Sequence, residues 1–233
     1  MRTDAGGRDP DSHSKTLRRY HQLLWSKPLP NGAQFDLDTK LHHTSTLGQY
    51  WLASDNIVHT YSSWVQPAHL VEIIGQVPAA EVTAFRDLAC TVGGYLVFPA
   101  QVRVDGRWRR SINQSRGMHP RIRDRFDLTL ECIRRHYEGR PSPLTGALGP
   151  YADFFALFGD FTGYVDHFLL NDLVEDDRDE VRFFTAFDDF ASSPLPAGNV
   201  SKYREYMKRS MDFVRARNER ITDYAAWTVH TPN

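Results

Sequence analysis

Between Arg121 and Tyr137 the apolar residues fall at Ile122, Phe126, Leu130, Ile133 and Tyr137, the spacing of a single stripe along one helix. Pro120 suits the first turn of that helix because its missing N–H costs nothing there, and Gly139 suits the stop. Opposite the stripe lie Asp124, Asp127, Glu131, Arg134 and Arg135, with Arg125, Cys132 and His136 on a flank. Asp127, Glu131 and Arg135 recur at intervals of four, and Glu131 stands three before Arg134, so these residues can pair along the helix surface for about 0.2–0.5 kcal/mol each if exposed. An exposed, ion-paired face is the ordinary reading of such a run. Leu128 sits on the same face and argues that it is covered, in which case the carboxylates and guanidiniums must pair or bind something.

Elsewhere the pattern predicts a helix over 16–25 with Leu17, Tyr20 and Leu24 on one side, then an extended piece and turn at Ser26–Gly32. Strands are expected at 49–53 and 57–61, separated by Ser54-Asp55-Asn56 acting as a turn. Helices follow at 67–77 and 79–92, ended by Gly93-Gly94. A strand over 95–104 carries Pro99, which suits an edge or a bulge, and Asp105-Gly106 turns it into a partner over 107–113. From Tyr151 to Val174 aromatic residues recur at helical spacing, as in a buried helix pair broken near Gly159 or Gly163. A strand at 181–186 and a last helix, capped by Asn199 or Ser201 and running to about Tyr224, complete the set. Tyr203, Met207, Met211 and Val214 line the inner side of that helix, while Lys202, Arg204, Lys208, Arg209, Arg215, Arg217 and Arg220 are assigned to solvent. The fold expected is α+β, a largely helical single domain over 16–224 with a small, mainly antiparallel sheet, a disordered tail at 1–15 and a C-terminal tail at 225–233.

Composition adds bounds. The 233 residues are 41% hydrophobic and 12% aromatic, enough for a full core. A net charge of −1 argues against coating nucleic acid or an anionic membrane by bulk attraction, so any such binding has to be local. No run reaches the roughly 18 apolar residues of a membrane span and no apolar signal core stands at the start, so a cytoplasmic protein without membrane contact is expected. Cys90 and Cys132 share no metal-ligand spacing and read as buried thiols. The charge is nevertheless uneven. Residues 103–125 hold eight arginines against Asp105 and Asp124, and residues 172–189 hold eight acids against Arg178 and Arg182. The two blocks can face each other; if they do not, the arginine block is an anion site.

Phosphate-loop, dinucleotide-loop, nucleophile-elbow and zinc-protease motifs are all missing from the sequence. What remains is a mixed constellation. Asn113, Arg116, Arg125, Arg134 and Arg135 are the candidate ligand-binding residues for a phosphate-bearing nucleotide or nucleic acid, with Trp108 and His119 able to stack on a base. Asp124, Asp127, Glu131 and His136 are the candidate catalytic groups, since paired carboxylates do acid–base work or hold a divalent metal ion. The alternative is a non-enzymatic interaction domain in which the same Arg, Asp and Glu residues form a structural ion-pair network.

The runs YHQLLWSKPLPNG (20–32), WLASDNIVHTY (51–61), SINQSRG (111–117), DRFDLTLECIRRHY (124–137), SPL (142–144), FTGYVDHFLLNDLV (161–174) and FVRARNERI (213–221) resemble a family of uncharacterised bacterial proteins known as a domain of unknown function. The resemblance covers nearly the whole chain after the tail. It implies one co-folding unit and a bacterial cytoplasmic protein, and it brings no activity, cofactor or site residue. His167 departs from it, standing where an aromatic residue is expected.

Overall fold

The computed structural model describes residues 3, 10–37, 45–47, 50–61, 68–99, 102–104, 107–109, 111–177, 180–191 and 198–230. Its elements in chain order are α1 (Pro10–His13), α2 (Lys15–Trp25), β1 (Asp36–Leu37), β2 (Ser45–Leu47), β3 (Tyr50–Asn56), α3 (Ala68–Gly75), α4 (Ala79–Ala89), β4 (Tyr95–Pro99), β5 (Val102–Val104), β6 (Arg107–Arg109), α5 (Ile112–Met118), α6 (Phe126–Tyr137), α7 (Thr145–Leu148), α8 (Ala152–Ala156), α9 (Phe161–His167) and α10 (Val200–His230). The architecture is α+β and largely helical. One sheet runs in the order β1-β2-β3-β4 and a separate hairpin joins β5 to β6, every pairing antiparallel.

Order begins before Thr16. Ser14 is buried and accepts from the Leu17 N–H at 3.0 Å, capping α2, while α1 occupies part of the expected tail. At the other end α10 continues past Tyr224 to His230.

The Ser54-Asp55-Asn56 triplet is the last stretch of β3, where the sequence suggested a turn. Asp55 stands opposite Leu96 and Asn56 opposite Tyr95 in the ladder with β4. Each polar side chain also finds a partner beyond the sheet: Ser54 donates to Asp11, Asp55 accepts from Arg116, and the Asn56 amide reaches the Ala89 carbonyl at 3.0 Å. The local bonds form as well, Asp55 Oδ1 accepting from the Asn56 N–H at 3.0 Å and Asn56 Oδ1 from the Val58 N–H at 2.8 Å, but the tertiary ones tie the triplet into the strand. Residues 57–61 consequently leave the sheet, and the Tyr203 and Tyr206 hydroxyls of α10 hold them by donating to the carbonyls of Thr60 and His59, each at 2.7 Å. Pro99 ends β4 on a sheet edge, where its missing N–H interrupts no ladder. The Asp105-Gly106 turn lies outside the described residues.

Two further boundaries move. Ser111 accepts from the Gln114 N–H at 3.1 Å and starts α5, so Asn113 and Arg116 lie inside a helix that the sequence reading had as strand and approach. Residues 120–124 then form turns, and α6 begins only at Phe126. Its C-terminus matches expectation: Gly139 takes φ +67° and the Arg140 N–H returns to the Arg135 carbonyl at 2.7 Å. The strand expected at 181–186 is reduced to one bridge between Val174 and Val181.

The aromatic run is core. Tyr151, Phe154, Phe155, Phe158, Phe161, Tyr164 and Phe168 are all buried, and the break falls at Gly159, φ +80°, after which Asp160 caps α9. Trp25, Phe35, Phe158 and Phe168 close around His167. Cys132 is buried as expected, while Cys90 is only half-buried because it sits at the open end of α4.

Candidate functional site

Asn113 and Arg116 are one turn apart on α5, which packs on β4. Arg116 is 0% exposed, although arginine is almost never buried without partners. Its guanidinium is fully engaged. Nη1 donates to Asp55 Oδ2 at 2.6 Å, to the Asn56 carbonyl at 3.2 Å and to Asp124 Oδ1 at 3.4 Å. Nη2 donates to the Asp124 carbonyl, and Nε to Thr129 Oγ1 at 3.1 Å. The Phe98 and Phe126 rings lie 5.7 and 5.9 Å from the guanidinium carbon.

The turn before α6 delivers Asp124 to this arginine. Arg123 and Asp124 both adopt left-handed backbone, φ +48° and +62°, which aims the Asp124 carbonyl and carboxylate back at α5. Gly117 makes room for it, since an added Cβ would stand 2.8 Å from Asp124 Oδ1. Burial pushes the Asp55 carboxyl up to about 6; Arg116 pulls the other way and Asp124 adds to the rise. Burial likewise holds the His59 imidazole below its usual range, with Asp124 opposing, and the ring stands 4.2 Å from that of Tyr61.

The other predicted site residues divide along α6. Arg125, 2% exposed, forms a two-point pair with Asp127, Nε to Oδ1 at 3.1 Å and Nη2 to Oδ2 at 2.5 Å. Asp127 Oδ2 also accepts from the Phe184 N–H at 2.9 Å, which ties α6 to the acidic segment through a main-chain bond. One turn on, Glu131 accepts from both Arg134, at 2.8 and 3.1 Å, and Arg135, at 2.6 Å. Arg134 reaches on to Glu138 at 2.7 Å. The His136 ring packs against Phe155 and Tyr137, and burial holds its imidazole below the usual range. Of the four candidate catalytic groups, then, Asp124 meets Arg116, Asp127 meets Arg125, Glu131 meets Arg134 and Arg135, and His136 faces aromatic rings. The face is covered, as Leu128 implied: every residue from Phe126 to Ile133 is buried.

Two cavities flank this helix system. One of about 560 Å³ is lined by His119, Pro120, Arg121, Arg135, Pro141, Ser142, Pro143 and Phe190. Within it Arg135 lies 4.9 Å over the Phe190 ring, and among the described residues its Nη1 and Nη2 and the whole Arg121 guanidinium make no hydrogen bond. The other, about 470 Å³, lies between α10 and residues 172–184, with Phe183, Phe184 and Phe213 below and charges that pair locally: Arg182 with Glu175 and Asp176, Arg209 with Glu205. Among the described residues no three His, Cys, Asp or Glu side chains are grouped to hold a metal ion.

Sequence reasoning singled out Asn113, Arg116 and Asp124, which the fold brings together, but missed Asp55, His59 and Arg123 beside them. The WLASDNIVHTY run contained two of the three, read there as turn and strand. It also assigned Arg217 to solvent. That residue is 0% exposed and donates to four carbonyls, those of Gly93 and Tyr95 at 2.8 Å, Phe168 at 3.0 Å and Leu169 at 3.2 Å. Burial pulls its guanidinium down to about 9. Arg217 stands at the i+3 and i+4 positions from Val214 and Phe213, inside the apolar stripe of α10, and that spacing was the available signal. Asp166 accepts from the Asn171 amide at 2.8 Å, and Asp172, in the acidic block, pairs with Arg220 of α10. The side chains of Trp108 and Arg109 lie outside the described residues.

No helix among the described residues is long and apolar enough to cross a membrane. Neither the curated proteins nor the solved structures contain a match to this chain. The sequence model of a family of unknown function, DUF6994, matches residues 1–221 of the 233, nearly the whole chain and every run on which the resemblance was drawn, and the chain belongs to that family.

Proposed function

We propose that this protein binds a phosphate-bearing ligand, a nucleotide or a nucleic-acid segment, in the cavity between the turn at His119–Arg121 and the loop at Pro141–Pro143, and that Arg135 is the principal contact. The observation behind this reading is the unequal use of the arginines. Arg116 is buried with each of its nitrogens donating within the protein, and Arg125 is buried and forks onto Asp127, whereas among the described residues Arg135 spends only Nε, on Glu131, and faces a cavity of about 560 Å³. Arg121 lines the same cavity and supplies a second guanidinium for a phosphate, a group that arginine binds in two-point fashion. Glu131 fixes the Arg135 stem, which reduces the rotamer freedom lost on binding. Phe190, Pro120 and Pro143 supply flat apolar surface for a base.

The test is a binding titration at fixed salt with inorganic phosphate, ATP and a short single-stranded RNA, on the wild type, Arg135→Ala and Arg121→Ala. Loss of one charge-assisted contact should weaken binding about tenfold or more in either variant, with little change in melting temperature. Failure of all three probes to bind the wild type sinks the proposal.

A second reading rests on a different observation: the Arg116 and Arg125 pairs are buried and complete in themselves. Under it the ion-pair network is structural and the chain is a non-enzymatic interaction domain. Arg116→Ala would then lower stability and leave every ligand titration unchanged.

A further inference from the structure

The cavity between His119–Arg121 and Pro141–Pro143 meets a ligand with side chains and hardly at all with main chain. Pro120, Pro141 and Pro143 have no N–H. The His119 N–H donates to the Ser115 carbonyl at 3.2 Å, that of Arg121 to His119 Nδ1 at 3.2 Å and that of Ser142 to Thr145 Oγ1 at 2.7 Å. With these neutral donors engaged, recognition of an anion falls to the guanidiniums of Arg121 and Arg135, whose attraction grows with the charge on the ligand. No Asp or Glu lines this cavity, whereas Asp172, Glu175 and Asp212 stand among Arg182 and Arg209 in the cavity beside α10. In the ion-pair chain behind it Arg134, Arg135 and Arg140 outnumber Glu131 and Glu138 by one, and Arg121 adds a second positive charge. His119 supplies a donor without a charge. Its Nδ1 accepts from the Arg121 N–H, which puts the ring proton on Nε2, and among the described residues Nε2 makes no hydrogen bond. Burial, with the Arg121 charge adding to it, holds this imidazole below its usual range and so neutral near pH 7.

We infer that this cavity selects a small phosphate monoester in its doubly ionised form, of the size of a nucleoside 5′-monophosphate, over the phosphate diesters of a nucleic-acid backbone. The inference rests on the phosphate reading above and names the ligand class for that same cavity. A monoester carries two charges above its second pKa of about 6, whereas each diester phosphate carries one. Two unopposed positive charges match the first ligand and are only half answered by the second. Size points the same way. A cavity of about 560 Å³ suits one small ligand, while proteins that track a single strand use a groove of at least about four nucleotides with stacking rings along it. His119 Nε2–H adds a hydrogen bond to a phosphate oxygen without adding a charge.

The experiment is isothermal titration calorimetry on the full chain, at fixed ionic strength and at pH 7 and pH 5, with AMP, its 3′,5′-cyclic diester, adenosine and a short single-stranded RNA lacking a terminal phosphate. The first three share base and sugar and differ in phosphate charge. At pH 7 AMP should bind about tenfold tighter than the cyclic diester, the equivalent of one charge-assisted contact, and adenosine weaker than both. At pH 5, where AMP has lost most of its second charge, the two should bind within about twofold of each other. Protonation of His119 at the lower pH acts on both ligands and leaves their ratio to report the phosphate. Arg121 is exposed and its guanidinium bonds to none of the described residues, so Arg121→Gln should fold normally and shrink the ratio at pH 7. Equal affinity for AMP and the cyclic diester at pH 7, a ratio that persists at pH 5, or adenosine binding as tightly as AMP overturns the inference. RNA binding without AMP binding overturns it too and leaves the broader phosphate reading standing, whereas silence from all four probes removes both.

Discussion

Replacing His167 by phenylalanine should remove a defined acid sensitivity. The imidazole is 6% exposed, its centroid lies 4.8 Å from that of Phe168 and 5.0 Å from that of Phe158, and its buried Nε2 has no partner among the described residues. Burial depresses its pKa from about 6.5 to about 3, and the Lys27 ammonium nearby pushes in the same direction. A group whose folded pKa is lowered in this way is neutral in both states above pH 6.5 and has no effect there. Below it the unfolded chain takes up a proton that the folded chain refuses, so stability falls by about 1.4 kcal/mol per pH unit until the folded group titrates near 3. At pH 5 the loss is about 2 kcal/mol, equivalent to about 4–8 °C in melting temperature for a chain of this length. A phenyl ring fits among Trp25, Phe35, Phe158 and Phe168 and leaves no unmet nitrogen. Urea or thermal melts at pH 7 and pH 5 should therefore show a drop about 2 kcal/mol smaller in His167→Phe than in wild type. His59 is depressed as well, but it is present in both proteins and cancels. Equal drops would show that His167 is protonated or hydrated in the folded state and would refute the reasoning.

Arg217→Lys should cost about 3–5 kcal/mol in chemical denaturation, because one ammonium cannot reach four carbonyls on two separate segments; a loss under 1 kcal/mol would mean that water replaces the guanidinium. Asp127→Asn removes the carboxylate that pairs in two-point fashion with the buried Arg125 and should cost about 3–5 kcal/mol by the same assay, with Arg125→Met/Asp127→Leu recovering much of it. Gly94→Ala should yield little folded protein on gel filtration, since an added Cβ would stand 2.0 Å from the Ala89 carbonyl oxygen, which is backbone and cannot move aside. Asp55 holds its proton to about pH 6 when folded and to about 3.8 when unfolded, so stability falls as pH rises through that window; Asp55→Asn should flatten the curve between pH 4 and 6, and an unchanged slope would contradict the assignment.

The periodic signals in the sequence translated well where a single helix buries one stripe. The inner residues of α10, the aromatic core from Tyr151 to Phe168 and the stop at Gly139 follow from spacing and backbone freedom alone. Legibility failed where a polar group serves two elements distant in sequence. Ser54-Asp55-Asn56 has the composition of a turn, but its partners, Asp11, Arg116 and Ala89, are 43, 61 and 33 residues away and convert it into the end of a strand. Arg217 failed for a related reason. Arginine in an amphipathic helix is ordinarily solvent-facing, and the four carbonyls that require it lie at a helix end and a strand entry that share no local pattern with α10.

The candidate site shows the same limit in sharper form. Arg116, Arg125, Arg134 and Arg135 are equivalent in the sequence, four guanidiniums within twenty residues, and a count of positive charge treats them as one anion site. Their capacity to bind depends on something charge does not record, the number of donors each has left. Arg116 gives every nitrogen to the protein, Arg125 forks onto Asp127, and Arg134 is divided between Glu131 and Glu138, while Arg135 keeps two nitrogens facing a cavity. A phosphate would have to displace a buried carboxylate to reach either of the first two, exposing two desolvated charges to gain one contact. At Arg135 it displaces only solvent. On the proposed reading the ligand therefore belongs where the ion-pair network is incomplete, and the variant that separates the two roles is Arg135→Ala, which should weaken binding about tenfold or more at little expense to the fold.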